Sequence, residues 1–352
     1  MKSIVHERPG VYSSYDASSA IRGGRAVRTI GVAAKATSGT AGEVVRLTSY
    51  EQGLLAFGED AAGKAGMSTV LRLLFLGGAS AVDAVKVNGE DYEKAFAALQ
   101  TAEEVQIVVC DSGDLNVQKA LRTSLENASA ARRERIAVVG MSGAATAELT
   151  ERATALNSER MVLVGPDALD SAGNSLSGVF AAAAVAAAAA VSRDPAIPLN
   201  GTALAGLTGV SQDYSDNEID LLVQGGVTPL EAVGGVVSPV RGITTRTTTG
   251  GVSDPAWREL TTILIVDDVI PSIRRSLRSR FSQTKNTLQT RGAIRSQTIV
   301  ELENKLRSEI IDSYSDVSVS ASPEDPSVCL VEFGFSVAHG LNQIYLTAHI
   351  TI

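Results

Sequence analysis

The sequence is poor in the side chains that carry most enzyme chemistry. It has three histidines and two cysteines in 352 residues. His6, His339 and His349 all lie in the terminal segments. A serine or cysteine nucleophile needs a base beside it, usually histidine, so histidine-based catalysis is not expected. Surface or strand positions are the ordinary reading of all three. Cys110 and Cys329 stand in no CxxC or metal spacing, which suits a reducing compartment. Aromatic residues are only 4%, so the core must be built from Ala, Val, Leu and Ile. The longest apolar run, "GVFAAAAVAAAAAVS" at 178–192, is too short and too alanine-rich to span a bilayer and predicts a buried helix. The start, "MKSIVHERPGVY", lacks the apolar segment of a secretory signal. A net charge of −8 argues against nucleic acid as the main partner. What remains is an ordinary globular composition, 44% hydrophobic and 20% charged, long enough for two or three domains.

Residues 1–25 hold Pro9, three glycines, many serines and few large apolar groups, and read as an extended arm. From "VRTIGVAAKA" (27–36) to "AVDAVKVNG" (81–89), short apolar runs alternate with Gly-rich turns. This predicts a small β-rich domain over 26–92 with one helix, "MSTVLRLLFLG". The texture then changes. "EVQIVVC" (104–110), "RIAVVGM" (135–141) and "RMVLVG" (160–165) are continuous apolar runs separated by segments of helical period. Strands alternating with helices at this spacing imply a parallel sheet with right-handed crossovers. The alanine-rich helix should cover one of its faces. Residues 193–256 are rich in Pro and Gly and read as loops, and a helical pattern returns over 267–314. Two strands close the chain. "SVCLVEFGFSVA" puts Val331, Phe333, Phe335 and Val337 on one face. "LNQIYLTAHITI" puts Ile344, Leu346, Ala348, Ile350 and Ile352 on one face.

Few motifs carry chemistry. "GEDAAGKA" (58–65) fits G-x-x-x-x-G-K, but Ala65 stands where Ser or Thr should bind Mg²⁺. The alternative to a structural role is therefore a P-loop-like NTPase using this loop, with Asp111 or Asp267 and Asp268 as metal-holding acids. The bland reading is a Gly-Lys surface loop. "VGMSG" (139–143) is not a nucleophile elbow, because its second Gly comes one residue early. "DYSDNEID" (213–220) lacks the Gly and Glu of a calcium loop and reads as a helix start with Asp216 near the cap. "DSGD" (111–114) likewise reads as a capped strand-to-helix turn. Between Pro271 and Gln297 lie Arg274, Arg275, Arg278, Arg280, Lys285, Arg291 and Arg295 with no acid among them. A solvated helix face is the plain explanation. A docking face for an acidic surface is the sharper one, and nucleic acid a third, though Phe281 alone interleaves as a stacking group. With chemistry nearly absent, the unusual ends stand out: a segment with unpaired strand character gains a full ladder of hydrogen bonds by adding to another chain's sheet.

Read along its whole length, the sequence resembles the contractile tail sheath proteins of myophage tails and phage-tail-like bacteriocins or injection systems. The resemblance rests on "ERPGVY" (7–12), "AFG" (56–58) and "LLFLGGA" (73–79) followed by "VDAVKV". It rests more specifically on "NGTALAGLTGVSQDYSDNEIDLLVQGGVTPLEAVGGVVSPVRGITT" (200–245), "WRELTTILIVDDVIPSIRRSLRSRF" (257–281) and the "VELENKLRSEIIDSYSDVSV" region, in the family's order. It implies an α/β fold, α+β overall: a central α/β sheath core with crossover helices, a small N-terminal β-rich domain, and extended N- and C-terminal β arms. The expected division is 1–25, 26–92, 93–250, 251–340 and 341–352. The resemblance further implies a non-enzymatic structural subunit without cofactors. Such subunits stack as six-fold rings or helices around an inner tail tube protein, meet baseplate and tail terminator proteins, and contract to drive the tube through a target envelope. Neither nucleic acid nor membrane is an expected partner. Val11 and Tyr12, with Ile344, Leu346, Ala348, Ile350 and Ile352, become the expected inter-subunit strands. Arg274, Arg275, Arg278, Arg280 and Lys285 become the expected tube-facing groups. Assembly in a bacterial host cytoplasm and release in a particle follow, and the short chain leaves no room for the outer domains of large phage sheaths.

Overall fold

The computed structural model describes residues 28–143 and 145–342. The N-terminal strands are β1 (Thr29–Ala34), β2 (Val44–Leu47), β3 (Val82–Lys86), β4 (Val105–Cys110), β5 (Ile136–Gly140) and β6 (Met161–Gly165). Short strands β7 (Ala168–Asp170), β8 (Ser175–Leu176) and β9 (Leu207–Val210) form a small side sheet. β10 (Val227–Val233) and β11 (Val236–Pro239) follow, then the minor pair β12 (Thr248–Thr249) and β13 (Val252–Ser253). The last described strands are β14 (Ile311–Ala321) and β15 (Cys329–Val337). The helices are α1 (Tyr50–Phe57), α2 (Met67–Leu76), α3 (Tyr92–Leu99), α4 (Leu115–Ala130), α5 (Thr146–Leu156), α6 (Gly178–Val191), α7 (Asp216–Gln224), α8 (Leu260–Phe281) and α9 (Leu288–Arg307).

One eight-stranded sheet runs β11-β10-β6-β5-β4-β1-β3-β2. Its inner pairings are parallel, and the two edge pairings, β2 with β3 and β10 with β11, are antiparallel. Parallel strands must be covered on both faces, and successive residues divide accordingly. Ile30, Val32, Ile107, Val109, Val138 and Val164 pack with α1, α2 and α6. Ala33, Val105, Val108, Val139 and Leu163 pack with α3, α4, α5 and Leu222 of α7.

The sequence reading separated residues 26–92 as a small β-rich domain. The sheet does not. β1 lies between β3 and β4, pairing Ile30 with both Val82 and Ile107. β1, β2 and β3 are thus part of the same sheet as β4–β6, because the order of pairing is set by contacts far apart in sequence. A second correction concerns the C-terminal half. "ILIVDD", the apolar run that ends in the acids Asp267 and Asp268, lies within α8 and not in a strand. Short apolar runs do not distinguish strand from buried helix, and here Ile263, Leu264 and Ile265 face inward from one helix. The helical stretch expected over 267–314 is interrupted after Phe281 and already gives way to β14 at Ile311.

The alanine-rich helix is as anticipated. α6 lies almost wholly buried against β4, β5 and β6, and its small side chains let it approach very closely. A Cβ on Gly140, the last residue of β5, would fall 2.0 Å from the carbonyl oxygen of Gly178 in the first turn of α6. The predicted caps also form. Asp114 accepts from the Asn116 and Val117 amides at the start of α4. Ser215 and Glu218 make a capping box on α7, with Asp216 as its first residue.

Candidate functional site

From Ile265 on, α8 packs with α9, β14 and β15 in a second core, with Ile265, Val269, Ile273, Leu302 and Ile311 at its centre. Alternation in β15 turns Phe333, Phe335 and Val337 toward these helices, the face the sequence pattern gave them. β14 lies on α9, while β15 reaches α8. The two strands make a two-stranded sheet, so among the described residues each has an outer edge without a partner strand. An isolated hairpin is marginal in water and depends on the helices beneath it. β14 carries two bulges, and Asp316 there adopts φ 53°. The ladder positions of β15 run without an inserted residue.

Beside β15 opens an apolar groove of about 600 Å³. Its floor is a stripe on α8, Thr262, Val266 and Ile270, four residues apart and each only half-buried. Trp257, Phe335 and Val337 form its walls, with His339 at the rim. Groove and open edge lie side by side. A strand laid along β15 would find donors and acceptors on one side and an apolar floor beneath.

Leu260, Ile263 and Leu264 of α8 pack into the core of the large sheet, and charge adds to that joint. Arg160, next to β6, makes two bonds to Asp267 of α8, Nη1 to Oδ2 at 2.8 Å and Nη2 to Oδ1 at 3.0 Å, and both side chains are mostly buried. Burial pushes the Asp267 carboxyl up, against the pull of Arg160. Asp268 is paired with Lys305 of α9, and Arg274 with Glu134 at 2.8 Å. Asp267 and Asp268, considered as metal-holding acids, are therefore ion-pair partners.

The basic segment divides in two. Arg274 is committed to Glu134, Arg291 donates to Asn286 and Arg295 to the Val317 carbonyl. Arg275, Arg278, Arg280 and Lys285 are exposed around the end of α8 and the turn into α9. Val11, Tyr12, Ile344, Leu346, Ala348, Ile350 and Ile352 lie outside the described residues, as do His6 and His349.

The near-phosphate loop has a different use. It follows a helix, α1, rather than a strand, and Asp60 occupies the N-terminus of α2. The Asp60 carboxylate accepts from the amides of Gly66, Ser68 and Thr69 and from the Thr69 hydroxyl, all at 2.7–3.0 Å. Those amides are the donors a phosphate would need. The chain's own carboxylate holds them. Asp111, at the end of β4, is taken up similarly by the Lys35 amide at 2.8 Å and the Tyr92 hydroxyl at 2.7 Å. Among the described residues no cluster of three or more His, Cys, Asp or Glu side chains is placed to hold a metal ion, and no helix is long and apolar enough to cross a membrane.

Sequence reasoning missed the groove and the ion pairs. The i, i+4, i+8 spacing of Thr262, Val266 and Ile270 was the available signal for the groove. Arg160 and Asp267 lie 107 residues apart and gave none.

Comparison with known proteins agrees with this architecture. The chain matches the phage tail sheath protein central domain over residues 85–245 and the phage tail sheath C-terminal domain over residues 252–351. It is 29% identical over 252 residues to the tail sheath protein of Bacillus phage SP01, a match covering 70% of this chain and 43% of that protein. The chain thus spans less than half the length of this relative. Its fold is similar to a chain of the anti-feeding prophage baseplate, with TM-score 0.75 and 16% identity over 99% of this chain and 100% of the other. It is also similar to the sheath complex of an extracellular contractile injection system in its contracted state, with TM-score 0.72 and 16% identity over 99% of both chains. With two adjoining domain matches spanning most of its length, the chain belongs to the phage tail sheath protein family.

Proposed function

We propose that this chain is the repeating subunit of a contractile tail sheath, a structural polymer and not an enzyme. The observation that carries this reading is the β14–β15 sheet, open at its edges beside an apolar groove. Terminal segments of neighbouring copies, with Val11 and Tyr12 at one end and Ile344, Leu346, Ala348, Ile350 and Ile352 at the other, add to this sheet. The backbone ladder gives such a strand affinity, and the groove selects its side chains. Copies joined in this way build stacked six-fold rings or a helix around an inner tube. The lattice shortens and widens as its subunits turn, and the tube is driven through a target envelope.

Arg275, Arg278, Arg280 and Lys285 form the face toward the tube. Exposed ion pairs there contribute about 0–1 kcal/mol each, weak enough to release when the lattice widens. Baseplate and terminator proteins close the two ends. Assembly takes place in the host cytoplasm, and the polymer leaves as part of a released particle. Nucleotide plays no part, in keeping with Asp60 occupying the donors at α2.

The test is electron microscopy of the purified full chain at high concentration beside a chain ending at Gly340. Hollow cylinders from the first and dispersed subunits from the second are expected. Cylinders from both would refute strand exchange through the C-terminal segment. Dispersed subunits from both would refute self-assembly.

A further inference from the structure

Arg28 stands where the first described strand begins, directly after the N-terminal segment. Its backbone amide donates to the Ala190 carbonyl at 3.3 Å. Its Nη1 donates to the carbonyls of Ala189 at 3.0 Å and Ser192 at 2.7 Å. These belong to the last turn of α6 and the residue after it, where carbonyls lack helical partners and the helix dipole favours a cation. Arg28 therefore stitches the start of the body to the end of its most buried helix.

The same side chain lines a small polar cleft of about 50 Å³ between the large sheet and α8. Glu134, at the start of β5, and Asp267 and Asp268 of α8 share that cleft, and Asp194 also acts on Arg28. The three acids that line the cleft each have their own cation in direct contact: Glu134 has Arg274, Asp267 has Arg160 and Asp268 has Lys305. Arg28 bonds to carbonyls instead and acts on the acids through its field. Without it the repulsion between Glu134 and Asp267 loses one of the positive charges that offset it in a poorly solvated place.

We infer that Arg28 couples the root of the N-terminal segment to α8, so that a pull on that segment reaches the basic helix end. The inference rests on the sheath reading for its mechanical meaning, but the coupling is a property of the single subunit. Under that reading, movement of a neighbour's strand contact is felt at the tube-facing helix. Arg28 is a positioning residue that acts on α8 through the acids of the shared cleft.

The test is amide hydrogen exchange, read by mass spectrometry, on the dispersed full chain with Arg28→Gln and Arg28→Lys. Glutamine keeps a donor for the α6 carbonyls and loses the charge, and lysine keeps the charge. In Arg28→Gln, amides of Leu260–Ile270 should exchange about fivefold faster, the low end of typical coupling between sites, while Arg28→Lys stays near the unaltered chain. Unchanged α8 exchange in Arg28→Gln, or equal acceleration in both variants, would overturn the coupling and leave Arg28 a cap on α6. Asp268→Asn approaches the link from the other side and guards against an Arg28 variant that does not fold. It should speed exchange in the last turn of α6, and unchanged exchange there would also overturn the coupling. Removal of residues 2–25 with cylinder formation intact would defeat the role given to the N-terminal segment in the sheath reading, with the exchange result unaffected.

Discussion

Replacing Arg160 with Met should destabilise the subunit more than replacing Arg160 and Asp267 together. Two bonds, at 2.8 and 3.0 Å, join the side chains of Arg160 and Asp267, which are mostly buried. Two opposite charges about 4 Å apart attract by about 4 kcal/mol at an effective dielectric constant of about 20. Burial opposes this gain, since desolvation is the largest influence on Asp267 and raises its proton affinity. The pair is therefore close to balanced, whereas a lone carboxylate in the same place is not. Breaking a buried pair from one side costs about 3–5 kcal/mol. With the residual exposure of this site, Arg160→Met should cost about 3 kcal/mol, and adding Asp267→Leu should recover more than half of that. Urea unfolding followed by circular dichroism reads both variants.

The pH dependence has a definite sign. A carboxyl whose proton affinity is raised by folding binds a proton more tightly in the native state, so its contribution to stability falls as pH rises above the ordinary carboxylate range. Without Arg160 that affinity rises further. The deficit of Arg160→Met should be largest near neutral pH and shrink as the pH falls and Asp267 takes up its proton. A double variant no more stable than the single one, or a deficit independent of pH, would refute the argument.

Three further outcomes are expected. Gly140→Ala places a methyl 2.0 Å from the Gly178 carbonyl oxygen, where backbone meets backbone and no rotamer can yield. It should destabilise by about 3 kcal/mol or more, at the upper end for overpacking, and a cost under about 0.5 kcal/mol in denaturant unfolding would contradict the packing. Asp60→Ala removes the acceptor at the start of α2 and should cost about 1–2 kcal/mol, while Lys64→Ala should leave the unfolding midpoint in place. Ile270→Glu alters only the half-buried groove floor. It should change subunit stability by less than about 1 kcal/mol yet abolish cylinders in micrographs, and normal cylinders would remove the groove from the interface.

The strand-helix alternation from Val105 to Gly165 was legible because each element is local and its apolar run continuous. The position of β1 was not, since "TIGVAA" has the same character whether it closes a small sheet or sits at the centre of a large one. The basic segment showed itself as composition, but Arg274 and Arg278 look alike there. Only the fold brings Glu134 to Arg274 and leaves Arg278 in solvent. The family resemblance was carried by the order of many weak segments, and the two domain matches cover much of the same ground. The groove was hidden because it belongs to no single element: α8 supplies the floor, and β15 with Trp257 supplies the walls.

The buried alanines of α6 also set how the subunit deforms. A methyl side chain has no rotamer to exchange, and interiors packed this closely compress little. With α6 pressed against the strands at backbone distance near Gly140, the middle of the molecule has few soft modes in which mechanical work could dissipate. A load applied at one rim is returned at the other as displacement of the whole. The body behaves as a strut, and compliance is left to its margins.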